Sequence, residues 1–274
     1  METKLLIYDD LCPLCSWYSG LFTQYGFLPQ QGRMPFSQLD PVFAGFIDLE
    51  KAKDEIPLLD TSTRKVLYGI DALLAILGKR FPVIKRLGHF PPLYWFLKRV
   101  YRFISYNRKV IVARKCGRGL IDCSPSVNYF YRFAFMLVFL LFNTIMLFPL
   151  HKIVLSRLPG FELNIVQLQA AHFTLVAINC FIALGLDRHK AVEYLGQVNM
   201  LALLTILLLL PILGLCSLLE PEAWFTGLYF ITTSLIIFSE YSRRMDYAGI
   251  LPGKNWVAGL NYTSIMIFLM VLFN

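Results

Sequence analysis

Five apolar runs in the second half of the chain set the tightest limit on its fold: residues 131–150, 165–186, 198–219, 224–239 and 257–273. A bilayer core about 30 Å thick takes roughly 20 apolar residues of helix to cross, and the second and third runs meet that length. Arg132 opens the first run, where its long stem can reach the headgroups. The fourth and fifth, 16 and 17 residues long, suit tilted or partly interfacial helices. Buried helices of a water-soluble core are the other reading, but five such runs without an amphipathic partner are hard to build in water. Composition agrees with the membrane. Of 274 residues 57% are hydrophobic and 16% charged, and mean hydropathy is +0.57, which excludes a disordered chain.

The charge is divided unevenly. Residues 1–128 hold 18 Lys and Arg against 11 Asp and Glu, whereas residues 129–274 hold 8 against 7. The expectation is a water-facing domain over 1–128 and an all-α polytopic membrane domain of about five helices over 129–274. The opening Met-Glu-Thr-Lys has no signal-peptide layout, so the first domain is expected to stay inside. Its expected inner loops contain Arg188 and Lys190, then Arg243, Arg244 and Lys254, with residues 239–247 as a charged inner loop. The outer loops contain Lys152 and Arg157, then only Glu220 and Glu222. This bias follows the positive-inside rule. It predicts a bacterial inner-membrane protein with a cytoplasmic N-terminal domain and the C-terminus outside.

The first domain opens on a strand-like Lys4–Tyr8, then Asp9-Asp10-Leu11-Cys12-Pro13-Leu14-Cys15 and a helix-like run through Tyr25 stopped by Gly26. Cysteines three apart at a helix start share a face, at a separation that a disulfide tolerates. Pro13 suits the first helical turn. The positive end of the helix favours a thiolate on the leading cysteine, making Cys12 the attacking and Cys15 the resolving sulfur of thiol–disulfide exchange. Half of a zinc site, completed by Cys116 and Cys123, is a second reading, and a relic pair without redox duty a third. Asp9 and Asp10 either shape the turn or move a proton between the sulfurs.

Further along, Ile56–Asp60 reads as a strand with proline at its start, Thr61–Thr63 as a turn, Lys65–Tyr68 as a strand, and Gly69–Leu77 as a helix stopped by Gly78. Strand–CxxC–helix–strand followed by strand–turn–strand–helix is the order of an α/β thioredoxin-like fold. In that fold the proline corresponding to Pro57 is commonly cis and lies against the cysteines; opening an edge strand is the plainer role.

Tyr8-Asp9-Asp10-Leu11-Cys12-Pro13-Leu14-Cys15, together with Tyr101-Arg102-Phe103-Ile104-Ser105-Tyr106-Asn107-Arg108, resembles the DCC family of predicted thiol-disulfide oxidoreductases. The resemblance covers about residues 4–125. It matches Asp9, Cys12, Pro13, Cys15, Tyr101, Asn107 and Arg108, with Cys116 or Cys123 as a later cysteine and Asp10 where the family usually has Gly. It implies Cys12 and Cys15 as the reacting pair, with Tyr101, Asn107 and Arg108 in support. Cys116 and Cys123 are either a second exchangeable pair or two free thiols.

No acidic residue falls between Asp71 and Asp122, while Lys98, Arg99 and Arg102 alternate with Trp95 and other aromatics. That collar suits an anionic leaflet better than RNA, so nucleic acid is not expected. Pro82, Pro91 and Pro92 are expected to break it into short pieces. Arg108 either binds an anionic substrate or faces the thiols. In the membrane half Cys180 and Cys216 are too far apart to pair, and His172 is the one prominent intramembrane ionisable side chain. The expected activity is thiol–disulfide exchange on a protein substrate, through a redox-active disulfide with no other cofactor and no metal. A membrane-protein partner or a second copy is a further expected contact. A non-catalytic membrane scaffold is the alternative, and a lipid-handling enzyme working at the collar a weaker third.

Overall fold

The computed structural model describes residues 4–113, 126–251 and 253–272. The chain divides into two compact units, one ending at Arg132 and the other starting at Phe133.

The first unit is built on a small mixed sheet. Strand β1 (Lys4–Tyr8) leads into helix α1 (Pro13–Gln24), then β2 (Arg33–Pro35). Two short helices follow, α2 (Pro41–Ala44) and α3 (Leu49–Asp54), before β3 (Pro57–Asp60), β4 (Val66–Tyr68) and α4 (Gly69–Arg80). Sheet order is β2-β1-β3-β4, with β2 parallel to β1, and β3 antiparallel to both β1 and β4. The continuous apolar run of β1 follows from burial on both faces. Leu5 and Ile7 join Phe36, Ile47 and Leu59 on one side, and Leu6 and Tyr8 join Leu28, Leu58 and Ile76 on the other.

Four local expectations need correcting. The Ile56–Pro57 peptide is trans: Pro57 opens β3 opposite Tyr68, a ladder-end position where the ordinary isomer fits and a missing donor is tolerated. That strand is an inner one, not an edge. Gly78 does not stop α4, which runs to Arg80. A Cβ at Gly78 would lie 2.5 Å from the Lys85 side chain, so the glycine permits a close approach of the next helix. The prolines of the collar start helices where they were expected to break them. Pro82 opens α5 (Pro82–Gly88), and Pro91 and Pro92 open the 22-residue α6 (Pro91–Val112), in first-turn positions that need no N–H.

Among the described residues each apolar run of the second half falls for nearly all its length in a helix: α7 (Tyr129–Ile153), α8 (Ile165–Leu184), α9 (Arg188–Leu218), α10 (Ala223–Tyr247) and α11 (Asn255–Leu272). Three helical stretches among the described residues are long and apolar enough to cross a membrane, Tyr129–Arg157, Ile165–Leu184 and Arg188–Leu218, with mean hydropathies of 2.3, 1.6 and 2.7. Within the second unit α9 packs on α8 and α10, and α11 on α8.

Here too the sequence reading is corrected. Residues 239–247 form no loop; they are the last turns of α10. Glu240 pairs with Arg243 at 2.6 Å and with Arg244 at 2.8 Å along the helix, and buried Arg244 donates to Gln197 Oε1 of α9 at 2.7 Å. Arg188 and Lys190 likewise lie in the first turn of α9. A second polar knot ties three helices: Tyr194 donates to Asn179 Oδ1 at 2.5 Å and accepts from Asn261 Nδ2 at 2.7 Å. Interhelical bonds of this kind join helices where apolar burial alone gives little preference.

Candidate thiol site

The site begins with how α1 starts. Cys12 is its N-cap, with extended backbone, and Pro13 occupies the first turn. The Cys12 sulfur takes the role usually given to a Ser or Asp oxygen, accepting the backbone N–H of Cys15 at 3.5 Å. No acidic residue lies in that first turn, so the positive end of the helix acts on the sulfur undiluted from within α1. Both cysteines are buried, Cys12 at 9% exposure and Cys15 at 3%, so the second is the more enclosed of the two.

Asp9 closes the loop between β1 and α1. Its Oδ1 accepts the Leu11 N–H at 3.1 Å, which is the turn role, yet the carboxylate and both sulfurs all lie within 4.8 Å of one another. Asp10 faces elsewhere and accepts the Ser37 N–H at 3.3 Å.

The fourth member arrives from α6. Buried Arg108 has Nη1 4.0 Å from the Cys15 sulfur and Nη2 3.5 Å from Asp9 Oδ2. Nη2 also donates to the Lys53 carbonyl at 2.8 Å, one of the carbonyls that the end of α3 leaves without a helical donor. Ser105 donates to the neighbouring Asp54 carbonyl, and Arg102 holds Glu55 at 3.3 Å. One face of α6 therefore fastens to the end of α3 and carries a cation to the thiols.

These contacts set the acid–base balance. The Cys12 thiol is pulled down to about 7, first by the hydrogen bond it receives from the Cys15 thiol, then by the Cys15 N–H and Arg108, against burial and the Asp9 charge. Cys15 is pushed far up, by that same hydrogen bond and by burial. Burial raises the Asp9 carboxyl despite Arg108 and the Leu11 N–H. The opposite directions of the two thiols favour the shared proton on Cys15, with the Asp9 carboxyl beside it.

The remaining expected residues fall elsewhere. Tyr101 accepts the Ile56 N–H at 2.8 Å and supports the start of β3. Asn107 Nδ2 donates to Phe103 O at 2.8 Å and Tyr131 O at 3.1 Å, so it secures the first turn of α7 and does not reach the sulfurs. Arg102 is taken by Glu55, while Arg99 lies 5.1 Å over the Trp95 ring and Lys98 5.7 Å over Tyr94. Cys116 and Cys123 lie outside the described residues. Cys180 and Cys216 are both free, the first exposed and the second buried. His172 Nε2 is buried with no hydrogen-bond partner among the described residues.

Sequence reasoning missed Tyr18, partly buried against the β1 core and raised well above the ordinary tyrosine range by burial and then by Cys15. Its place three residues after Cys15 on the same helical face was the available signal. It also missed the Lys53 carbonyl, which no side-chain pattern announces.

Asp9, Cys12 and Cys15 offer three of the four donors that zinc takes. Arg108 already supplies positive charge to that cluster, and a metal ion would sit against it.

No curated protein and no solved structure matches the chain. Residues 6–114 do match the family model of DCC1-like thiol-disulfide oxidoreductase, which bears out the resemblance that Asp9, Cys12, Cys15, Tyr101, Asn107 and Arg108 give the N-terminal half.

Proposed function

We propose that this chain is a membrane-anchored thiol–disulfide oxidoreductase whose Cys12-Pro13-Leu14-Cys15 motif works on the cytoplasmic face of a bacterial inner membrane. The observation that carries the reading is the unequal pair: Cys12 as the N-cap of α1, lowered to about 7, beside a more deeply buried Cys15 that is pushed far up.

The Cys12 thiolate attacks one sulfur of a substrate protein's disulfide. A mixed disulfide forms and the other substrate sulfur leaves as a thiolate. Cys15 then gives its proton to Asp9, attacks the Cys12 sulfur and expels the second substrate thiolate. The substrate disulfide is reduced by two electrons and Cys12–Cys15 becomes the disulfide; run backwards, the same steps oxidise a dithiol. Arg108 holds Asp9 and balances the charge that passes between the sulfurs.

The sheet order β2-β1-β3-β4 with the cysteines between β1 and α1 supports a thioredoxin-like fold for this unit. The five helices of the second half support five spans, with α10 and α11 completing the bundle begun by the three most apolar stretches.

The test is substitution of each cysteine in the full chain. Cys12→Ser should abolish exchange with a protein disulfide, and Cys15→Ser should trap a mixed disulfide visible on a non-reducing gel. If the wild-type pair has no measurable two-electron potential and Cys12→Ser leaves cellular function intact, the domain is a binding module and the redox reading fails.

A further inference from the structure

Helix α6 is amphipathic in an unusual sense. Its inward face is polar, carrying Tyr101 to the Ile56 N–H, Ser105 to the Asp54 carbonyl and Arg108 to the thiols, while an apolar stripe is exposed. Leu93, Phe96, Val100 and Ile104 recur three and four residues apart along that stripe, with exposures of 37%, 55%, 37% and 44%. The stripe continues upstream in sequence through Val83, Leu87 and Phe90, at 67%, 56% and 60%. Single exposed apolar residues are ordinary on a protein surface, but a contiguous apolar face marks a contact.

The charges beside it say what the contact is. Lys85, Arg86 and Arg99 are exposed, and no acidic residue follows Asp71 before Asp122. An acidic soluble protein would match the cations and leave the apolar stripe in water. A second copy would cover the stripe but set like charges against each other. An anionic bilayer offers phosphates above and acyl chains below, matching both features.

We propose that the outward face of α5 and α6 is a docking surface for an anionic bilayer, with Leu87, Phe90 and Phe96 entering the acyl boundary and Lys85, Arg86 and Arg99 meeting lipid phosphates. The proposal rests on the membrane reading above. It adds that the first unit lies against the bilayer, beyond being tethered to it. Arg108 follows Ile104 by one helical turn, so docking along α6 brings the thiol site close to the headgroups. The substrate class that follows is a protein whose cysteines lie close to the membrane surface.

The test uses the full chain reconstituted in vesicles of phosphatidylglycerol or phosphatidylcholine, each containing acyl-brominated lipid. Leu87→Trp and Phe96→Trp each add a tryptophan whose quenching is read by difference from wild type. Quenching of the added residue should be roughly threefold stronger in phosphatidylglycerol and should vanish with Lys85→Glu, Arg86→Glu and Arg99→Glu combined. Equal quenching in the two lipids, or none in either, overturns the docking surface. Trp224 and Trp256 of the helical unit serve as the internal control. If they are quenched while the added residues are not, anchoring stands and docking fails; if they too are unquenched, the membrane reading itself has failed.

Discussion

Arg108 reaches Cys15 across 93 residues of chain, and the chemistry of the site depends on that reach. A buried carboxylate and a forming thiolate need a fixed positive charge, because removing one partner of a buried pair leaves the other uncompensated. Below the pKa of Cys12 the reduced pair carries two protons that the disulfide lacks; above it only Cys15 keeps one. The reduction potential should therefore fall by about 59 mV per pH unit below pH 7 and by about 30 mV above it, the break marking Cys12 at about 7. Arg108→Met should move the break to higher pH, since a lost cation disfavours the thiolate, and Arg108→Lys should move it less. Redox titration against dithiol buffers at a series of pH values reads both. Cys12, Cys15 and Asp9 were legible in the sequence because their spacing acts through one loop and one helical turn. The contacts of Arg108 were not, since no local pattern encodes which face of a helix ninety residues later will meet them.

At the scale of elements, α6 is where reading and structure part most. Pro91 and Pro92 look like breakers in sequence, yet as first-turn residues they launch 22 residues of helix. Its inner face then serves three ends at once: the Ile56 N–H through Tyr101, the last carbonyls of α3 through Ser105 and Arg108, and Glu55 through Arg102. Tyr101→Phe removes the acceptor of a buried N–H and should destabilise the first unit by about 1–3 kcal/mol. Urea unfolding followed by limited proteolysis of that unit measures it. The Cys12 titration should stay at about 7, because the groups that shift it are Cys15, Arg108 and Asp9 and the Tyr101 hydroxyl is spent on the Ile56 N–H. A large change in that titration would show that α6 acts on the site as one rigid body. In the second unit, the charge of residues 239–247 suggests a loop in water, whereas they form the end of α10. Ion pairs along the helix and the Arg244–Gln197 bond keep it helical.

At the scale of the molecule, the two units divide the labour of composition. The first holds most of the net charge of +8 and the thiols, and the second most of the apolar length. The number of crossings is open to a direct reading. With five spans, a reporter inserted at Gly253 should lie on the same side as the N-terminal unit, while reporters after Leu219 and at the C-terminus lie opposite. With three spans, all three insertions share the far side. A pair of reporters, one active only in the cytoplasm and one only outside, separates these outcomes at Gly253. Five-span topology is abandoned if Gly253 reports from outside.

Local and compositional properties were set by the sequence alone. Apolar length marks helices for a bilayer, a Cys-x-x-Cys after a strand marks a helix N-terminus with paired sulfurs, and an acid-free stretch marks a cationic surface. Each needs only neighbours within a few residues. The tertiary structure decided what depends on distant partners: that Asp9 faces the thiols while Asp10 does not, that Arg108 joins them, that Arg102 is taken by Glu55 and withdrawn from the collar, and that the stripe through Phe96 faces outward. The physical reason is the same in each case. Whether a side chain is a charge, a donor or a greasy surface is intrinsic to it, but what it faces is fixed by packing elements that are close only in the folded chain.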